Sequence, residues 1–525
     1  MLAIIPKPAK LTLLSGCFTL NKQTYLKVDP SNAELIQLTN FLNLTFSNAL
    51  GYQLNLNNVS SLSKKNNIIQ FVLEESSELQ GDESYYLEIK PEAILVKARK
   101  INGLFYGLMT LRQLLPVEIE SKKIIANIEW KIPCLQCEDK PRFSWRGMHL
   151  DVSRHFFSVD FIKKYLDLLA MYKFNVFHWH LVDDGGWRIE IEKYPLLTDL
   201  TAYRLDNMEV WHPRHLSFQQ KDCAQALHGG FYTKQQIVEI IDYAKARHIR
   251  VIPEIEMPGH SQAALFAYPQ YQCAGAAQSL TEPYLYNHQN VYCLGKKETY
   301  HFLKNILDEV FELFPESIVH IGADEVDQRF WNNCPDCANF MKQHQLRNGD
   351  DLQSQFVHEM DAFLSQNNKT LMAWDDILLG GHDSPTNATI MSWRGEQWAA
   401  KAAKSKNYTV TCPAWQCYFD YSYRAVPLEN VYNYDPVPAE LNEAEAKYIL
   451  GVQGNVWTEF MTSESQVEYM ALPRMLAVSE VVWTQVENKN LDDFMQRLTI
   501  SSTRLTLAEY CYCPLELISE KNLTA

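Results

Sequence analysis

From about residue 141 onward one pattern repeats: a short apolar run, a polar stretch, then a segment with apolar residues at helical spacing. The apolar runs are Arg146–Asp151, Asn175–Leu181, Arg250–Ile255, Ile318–Gly322, Thr370–Trp374, Thr389–Trp393, Tyr408–Cys412 and Ile449–Trp457. Helical periodicity falls on Asp160–Lys173, Tyr232–His248, Glu298–Phe314 and Asp351–Ser365, and Ser463–Thr484 and Leu491–Tyr510 read as closing helices. Eight strands alternating with helices predict an α/β fold of the (β/α)₈, or TIM barrel, type. Pro253 inside the third strand is a local misfit, tolerable near a strand end or a bulge.

Residues 1–140 have a different texture. Ser84–Lys90 alternates apolar and polar residues, Ala93–Ala98 follows as a second strand, and Gly103–Pro116 has helical periodicity that stops at a proline. A small α+β domain is expected here, before a catalytic barrel domain over 141–525. The first domain has no cluster of catalytic residue types and reads as a packing domain.

Composition narrows the class. The chain has 525 residues, 46% hydrophobic and 21% charged, as in a water-soluble globular protein. A net charge of −15 argues against a nucleic-acid or anionic-membrane partner, and no apolar run is long enough to span a bilayer. The start, Met1–Pro8, lacks the basic and apolar regions of a signal peptide, so a cytoplasmic protein is the default expectation; one whose signal had been removed would read the same way. Asn-x-Ser/Thr triplets at Asn43 and Asn387 are short enough to arise by chance. Of the 12 cysteines, Cys334 and Cys337 form a single CxxC, half a zinc site at most; reduced thiols or a local disulfide are expected there.

Chemistry in such barrels sits at the C-terminal strand ends. Those ends carry Asp151 and Arg154; His180, Asp183 and Asp184; Glu254, Glu256 and His260; Asp324 and Glu325; Trp374, Asp375 and Asp376; Trp393; Tyr418 and Asp420; Trp457 and Glu459. Tryptophans stack on sugar faces, and carboxylates and arginine bind hydroxyl groups, so this set suits a carbohydrate. A lone tryptophan is more often core, but three at strand ends five, six and eight are harder to place among the branched aliphatics of a barrel interior. Adjacent Asp324 and Glu325 repel one another, so one of the two should keep its proton to higher pH, as a general acid requires. His178 and His180, two apart on a strand, face the same way. They read either as buried histidines bonded to carboxylates or as two ligands of a metal-dependent hydrolase.

The motifs Leu150–His155, Phe177–Asp184, Glu254–His260 and His320–Glu325, with the spaced tryptophans, resemble the family 20 glycoside hydrolases, the β-N-acetylhexosaminidases. The resemblance covers nearly the whole chain; one departure is Ala323, where many members carry a second glycine. It implies an exo-acting enzyme on terminal β-linked N-acetylglucosamine or N-acetylgalactosamine, with the substrate's 2-acetamido oxygen as nucleophile and no metal or cofactor. It casts Glu325 as general acid and base, Asp324 as the partner of the acetamido N–H, and Tyr418 as the residue holding the acetamido oxygen. Trp374, Trp393 and Trp457 would wall the acetamido pocket. Arg154, Asp420 and Glu459 would bind the sugar hydroxyls, and Asp183 with His260 would tune Glu325. The alternatives are the metal hydrolase above and a sugar-binding protein without turnover. The insertion Trp211–Gly230 is the candidate for shaping the leaving-group side; it carries no motif that says how.

Overall fold

The computed structural model describes residues 2–56, 67–74, 81–205, 227–274, 291–381 and 384–518. Residues 211–226 of the insertion lie outside the described residues.

Eight parallel strands close into a barrel: β1 (Trp145–Asp151), β2 (Val176–Asp183), β3 (Arg250–Ile255), β4 (Ile318–His320), β5 (Thr370–Trp374), β6 (Thr389–Ser392), β7 (Thr409–Thr411) and β8 (Ile449–Gly454). Each pairs with the next, and β8 returns to β1 through Gly451–Gly454 against Trp145–Met148. Every residue of β1 and β2 is buried, as expected of strands covered on both faces. Along β2 the two faces divide the work. Phe177 and Trp179 pack outward on Tyr165 and Tyr232, at ring separations of 5.9 and 4.7 Å. His178 and His180 point into the barrel. Pro253 lies within β3, and its register against β2 shifts just after it, between Glu254 and Ile255.

The interior near the strand ends is not aliphatic. His149, His178, His180, Glu254, His320 and Gln453 are all fully buried there. Trp374 fills space among them, 1% exposed, with its indole N–H donating to Glu254 Oε1 at 2.8 Å. Size alone therefore does not keep an aromatic residue out of this barrel's centre.

Three of the outer helices start on side-chain caps: Ser158 for Val159–Met171, Thr233 with Gln236 for Lys234–Lys245, and Asn348 for Gly349–Gln366. The expected closing helix over Ser463–Thr484 is in fact two, Glu464–Ala471 and Arg474–Trp483. Pro473 separates them, because a proline inside a helix lacks the N–H and clashes with the preceding turn. No helix among the described residues is long and apolar enough to cross a membrane. The described cysteines are free thiols, so Cys334 and Cys337 are not joined to each other.

Before the barrel stands a seven-stranded mixed sheet with helices Ala33–Leu50 and Ile101–Leu114. Helix Ile101–Leu114 lies so close to the sheet that a Cβ on Gly103 would fall 2.3 Å from the Ser84 carbonyl oxygen. The sheet is anchored to the barrel by buried polar contacts. Asp139 accepts from Lys173 Nζ at 3.0 Å, Tyr85 OH at 2.6 Å and Trp483 Nε1 at 2.9 Å. Arg146 of β1 forms a two-pronged ion pair with Glu83, both contacts at 2.7 Å.

Candidate active site

The turn leaving β4 sets the site. Gly322, Ala323 and Glu325 all have positive φ, at 69°, 69° and 47°. Gly322 has a second constraint: a Cβ there would fall 1.7 Å from Glu256 Oε2. The turn is tied to β5 by Trp374 N–H donating to the Gly322 carbonyl at 3.0 Å, and Gln353 donates to the Ala323 carbonyl at 2.9 Å. This coil presents two consecutive carboxylates differently. The Asp324 side chain is 14% exposed, and that of Glu325 is 46% exposed.

Burial, then the neighbouring charges of Asp376, Glu325 and Glu254, push the Asp324 carboxyl up to about 8, with His260 opposing. The repulsion argued from sequence therefore falls on Asp324, the buried member, because desolvation adds to it there.

An alternating chain of charge runs from this pair across the pocket floor. His260 Nε2 lies 3.6 Å from Asp324 Oδ2 and 3.7 Å from Glu325 Oε2. Its Nδ1 lies 3.3 Å from Asp183 Oδ1. Burial alone would lower the His260 pKa, but Asp183 and Asp324 outweigh it and hold the ring protonated well above its usual range. Asp183 is likewise buried, yet Arg154 and His260 keep it well below the usual carboxylate range. Arg154 Nη2 meets Asp183 Oδ2 at 2.8 Å; its Nη1 lies 3.2 Å from Asp151 Oδ2 and 3.7 Å from Glu459 Oε1.

Aromatic rings form the facing wall. Tyr418 stacks near Trp393 at 6.1 Å and 20°, and lies 6.0 Å from the Trp457 ring. Trp457 also lies under the Arg154 guanidinium at 5.1 Å. Trp393 is oriented by its indole N–H, which donates to Asp376 Oδ2 at 2.8 Å. Burial, then Cys412 and Asp324, holds the Tyr418 hydroxyl protonated well above its usual range. Burial and then Glu459 push Asp420 up to about 8. Asp324 Oδ1 and Asp420 Oδ1 are buried and accept no hydrogen bond from the described residues. The eleven residues singled out by sequence thus converge, with Trp374 the deepest among them.

Beneath them lie His178 and His180, bonded to buried carboxylates as one of the two sequence readings has it, with Glu254 and Glu256, to which the sequence assigns a place at a strand end but no individual role. Glu254 is fully buried and gathers His180 Nδ1, His178 Nε2 at 3.2 Å, His320 Nδ1 at 2.9 Å and the Trp374 indole. Glu256 is buried against Gly322 and, by burial and then Asp324, keeps its proton well above the usual range. The available signal was the recurrence of histidine and glutamate at alternate strand positions. Three groups here offer three close ligand atoms each: His149 with His178 and Glu254, His180 with Glu254 and Glu256, and Asp183 with Asp184 and His260. The second contains an imidazole without a free lone pair. His180 is held between Glu254 and Asp183; burial opposes its charge, but Glu254 and Asp183 win and raise it to about 10. The third is held by a protonated His260 in the same way. In the first, His178 Nε2 and His149 Nε2 face Glu254 Oε2 at 3.2 and 3.9 Å, while His178 Nδ1 pairs with the Gln453 amide at 2.9 Å.

Residues 143–486 match the family model described as the glycosyl hydrolase family 20 catalytic domain, and residues 1–140 match its domain 2. The chain belongs to glycosyl hydrolase family 20. As a member of that family it is a glycoside hydrolase. It is 36% identical over 518 residues to a β-hexosaminidase of Porphyromonas gingivalis, covering 96% of this chain and 63% of that protein. It is 33% identical over 491 residues to a β-hexosaminidase of Vibrio furnissii, covering 91% and 76%. Among solved structures, a family 20 exo-β-N-acetylglucosaminidase from Vibrio harveyi in complex with N-acetylglucosamine superposes with a TM-score of 0.84 at 30% identity, over 98% of this chain and 78% of that one. A β-N-acetylhexosaminidase from Bacteroides fragilis does so with 0.79 at 30%, over 97% of both chains. The two matched stretches correspond to the barrel and to the sheet domain that precedes it.

Proposed function

We propose that this family 20 chain is an exo-acting β-N-acetylhexosaminidase that works by substrate assistance. The observation that carries the reading is the Asp324–Glu325 pair: one carboxyl buried with an unengaged oxygen, the next half-exposed, both beside a protonated His260 and opposite Tyr418. Relatives that carry the β-hexosaminidase name support it.

In this reading the terminal sugar lies between Arg154, Asp420 and Glu459 on its hydroxyl side and Trp374, Trp393 and Trp457 around the acetamido group. Asp324 accepts a hydrogen bond from the acetamido N–H, and Tyr418 donates one to the acetamido oxygen, aligning it with the anomeric carbon. That oxygen attacks C1 while the C1–O bond to the leaving group breaks, and Glu325 gives its proton to the departing oxygen. The cyclic oxazolinium-like intermediate carries positive charge, which ionised Asp324 stabilises. Glu325, now a carboxylate, takes a proton from water as that water attacks C1 and reopens the ring. Two displacements at C1 return the β configuration.

Two consecutive carboxylates on one turn suit an acid and a supporting base better than an acid and a nucleophile on opposite faces of a ring. The experiment is a panel of aryl β-glycosides with and without the 2-acetamido group, and a thiazoline analogue of the intermediate. Turnover should require the acetamido group, the loss should fall in the chemical step, and the thiazoline should inhibit tightly. Trapping a sugar covalently on Asp324 with a 2-fluoro glycoside, with indifference to the thiazoline, would rule the reading out. Chelator-sensitive activity on a different bond would favour the metal hydrolase instead.

A further inference from the structure

The four thiols of Cys273, Cys293, Cys334 and Cys337 lie together outside the sugar pocket, and nothing in the mechanism uses them. All four sulfurs are within 4.8 Å of one another. The resolved separations are 3.9 Å for Cys273–Cys337, 3.7 Å for Cys293–Cys334 and 3.6 Å for Cys293–Cys337. Zinc holds thiolates at about 2.3 Å in a tetrahedron, which places the sulfurs about 3.8 Å apart. Two disulfides would instead draw the sulfurs into two bonded pairs at about 2.05 Å and leave them unequal. Each of the four is at most 2% exposed.

The backbone is arranged to deliver them. Cys273 and Cys293 flank an antiparallel bridge between Gln272 and Tyr292, on the long connection that follows β3. Cys334 caps helix Pro335–Gln343, and Cys337 sits in its first turn, after β4. The chain at Cys293 is pressed against that turn. A Cβ on Gly295 would fall 2.2 Å from the Asp336 carbonyl carbon and 2.3 Å from Cys337 N. Only glycine allows this approach, and the approach brings the Cys293 sulfur to those of Cys334 and Cys337. The positive end of helix Pro335–Gln343 also favours the two negative charges that a zinc tetrathiolate carries.

We propose that Cys273, Cys293, Cys334 and Cys337 bind one structural zinc ion that clamps the loop after β3 to the loop after β4. Each thiol releases its proton to solvent on binding. The ion stands where the two halves of the catalytic floor are joined. Tyr292 N–H donates to the Pro258 carbonyl at 3.0 Å, next to His260, and Trp331 Nε1 donates to the Tyr292 carbonyl at 2.9 Å, on the segment that follows Glu325. The half site read in the sequence is therefore completed by two cysteines from a different loop. The proposal does not depend on the sugar reading, because its first readout is metal content.

The full-length chain is purified under reducing conditions without chelator, dialysed, and assayed by inductively coupled plasma mass spectrometry and zinc-edge X-ray absorption. About one zinc per chain is expected, with a single shell of four sulfurs at about 2.3 Å. Cys337→Ser and Cys273→Ser should lose the zinc and melt at lower temperature. If both variants fail to fold, the absorption spectrum of the unaltered protein decides. Absence of zinc after reconstitution, iron in its place, a shell containing nitrogen or oxygen, or eight titratable thiols in denaturant (the 12 cysteines less four in two disulfides) would each overturn it.

Discussion

At the scale of single residues, the two adjacent carboxylates sit in different surroundings, Asp324 largely buried and Glu325 half-exposed. Glu325→Gln should keep the pocket's shape and remove the proton donor, lowering kcat by about 10²–10⁴-fold for glycosides with poor leaving groups and less for nitrophenyl glycosides. A plot of kcat against leaving-group pKa checks this; equal losses along the series would give Glu325 another role. Asp324 makes a pH prediction. It keeps its proton to about pH 8 in the free chain, mainly through burial, whereas an unfolded aspartate loses it near about 3.9. Between those values the folded state binds more protons, so this group's contribution to stability is full below pH ~4 and is lost as pH rises through about 8. Asp324→Asn should flatten that part of the decline in Tm with pH, measured by calorimetry from pH 4 to 9. The acetamido N–H supplies a hydrogen bond that favours the ionised form. The acidic limb of kcat should therefore lie at lower pH than that of kcat/KM.

At the scale of elements, the turn after β4 is the sensitive one. Gly322→Ala would push a methyl into the Glu256 carboxyl, at a left-handed φ that penalises any side chain. It should cost several kcal/mol, on the order of a severe overpacking change, and it should reduce activity by moving Asp324 and Glu325 together. Ala323 has the same φ of 69°, so an L-residue there costs about 1–2 kcal/mol relative to relaxed backbone. Ala323→Gly should then stabilise the fold by about 0.5–1 kcal/mol once the greater unfolded-state freedom of glycine is subtracted. Denaturant titration of the two variants should move the midpoint in opposite directions. The departure noticed at Ala323 is thus a site of backbone strain, a property that side-chain size alone does not reveal.

At the scale of the whole molecule, the small domain and the barrel share buried charge. Asp139 takes Lys173, Tyr85 and Trp483 at once. Replacing it in Asp139→Ala leaves a buried lysine unpaired, a change that costs about 3–5 kcal/mol. The expected result is a much lower Tm with KM little altered in the protein that remains folded, since none of these groups reaches the sugar pocket. A raised KM with unchanged Tm would mean that the first domain contributes to substrate binding.

The order of strands and helices was legible in the sequence because hydrophobic period is a local property, and a chain written as eight alternations closes into a barrel. The pocket was legible for the same reason: strand ends can be located from the pattern, and Arg154, Asp183, His260, Tyr418 and the tryptophans stand at them. The split closing helix was readable in principle, since Pro473 marks it. What needed the folded chain was every effect that depends on distance between segments remote in sequence. Adjacent carboxylates predict a proton held to high pH, but burial decides that Asp324 is the one. Histidines two apart on β2 predict a shared face, but only the arrival of Glu254 from β3, added to Asp183 at the end of the same strand, makes His180 an imidazolium rather than a ligand. Cys334 and Cys337 predict half a site, and Cys273 and Cys293 complete the cluster only through a loop that glycine at position 295 allows to come close. Residue type and period are written along the chain; desolvation, charge coupling and close approach exist only once the chain has folded on itself.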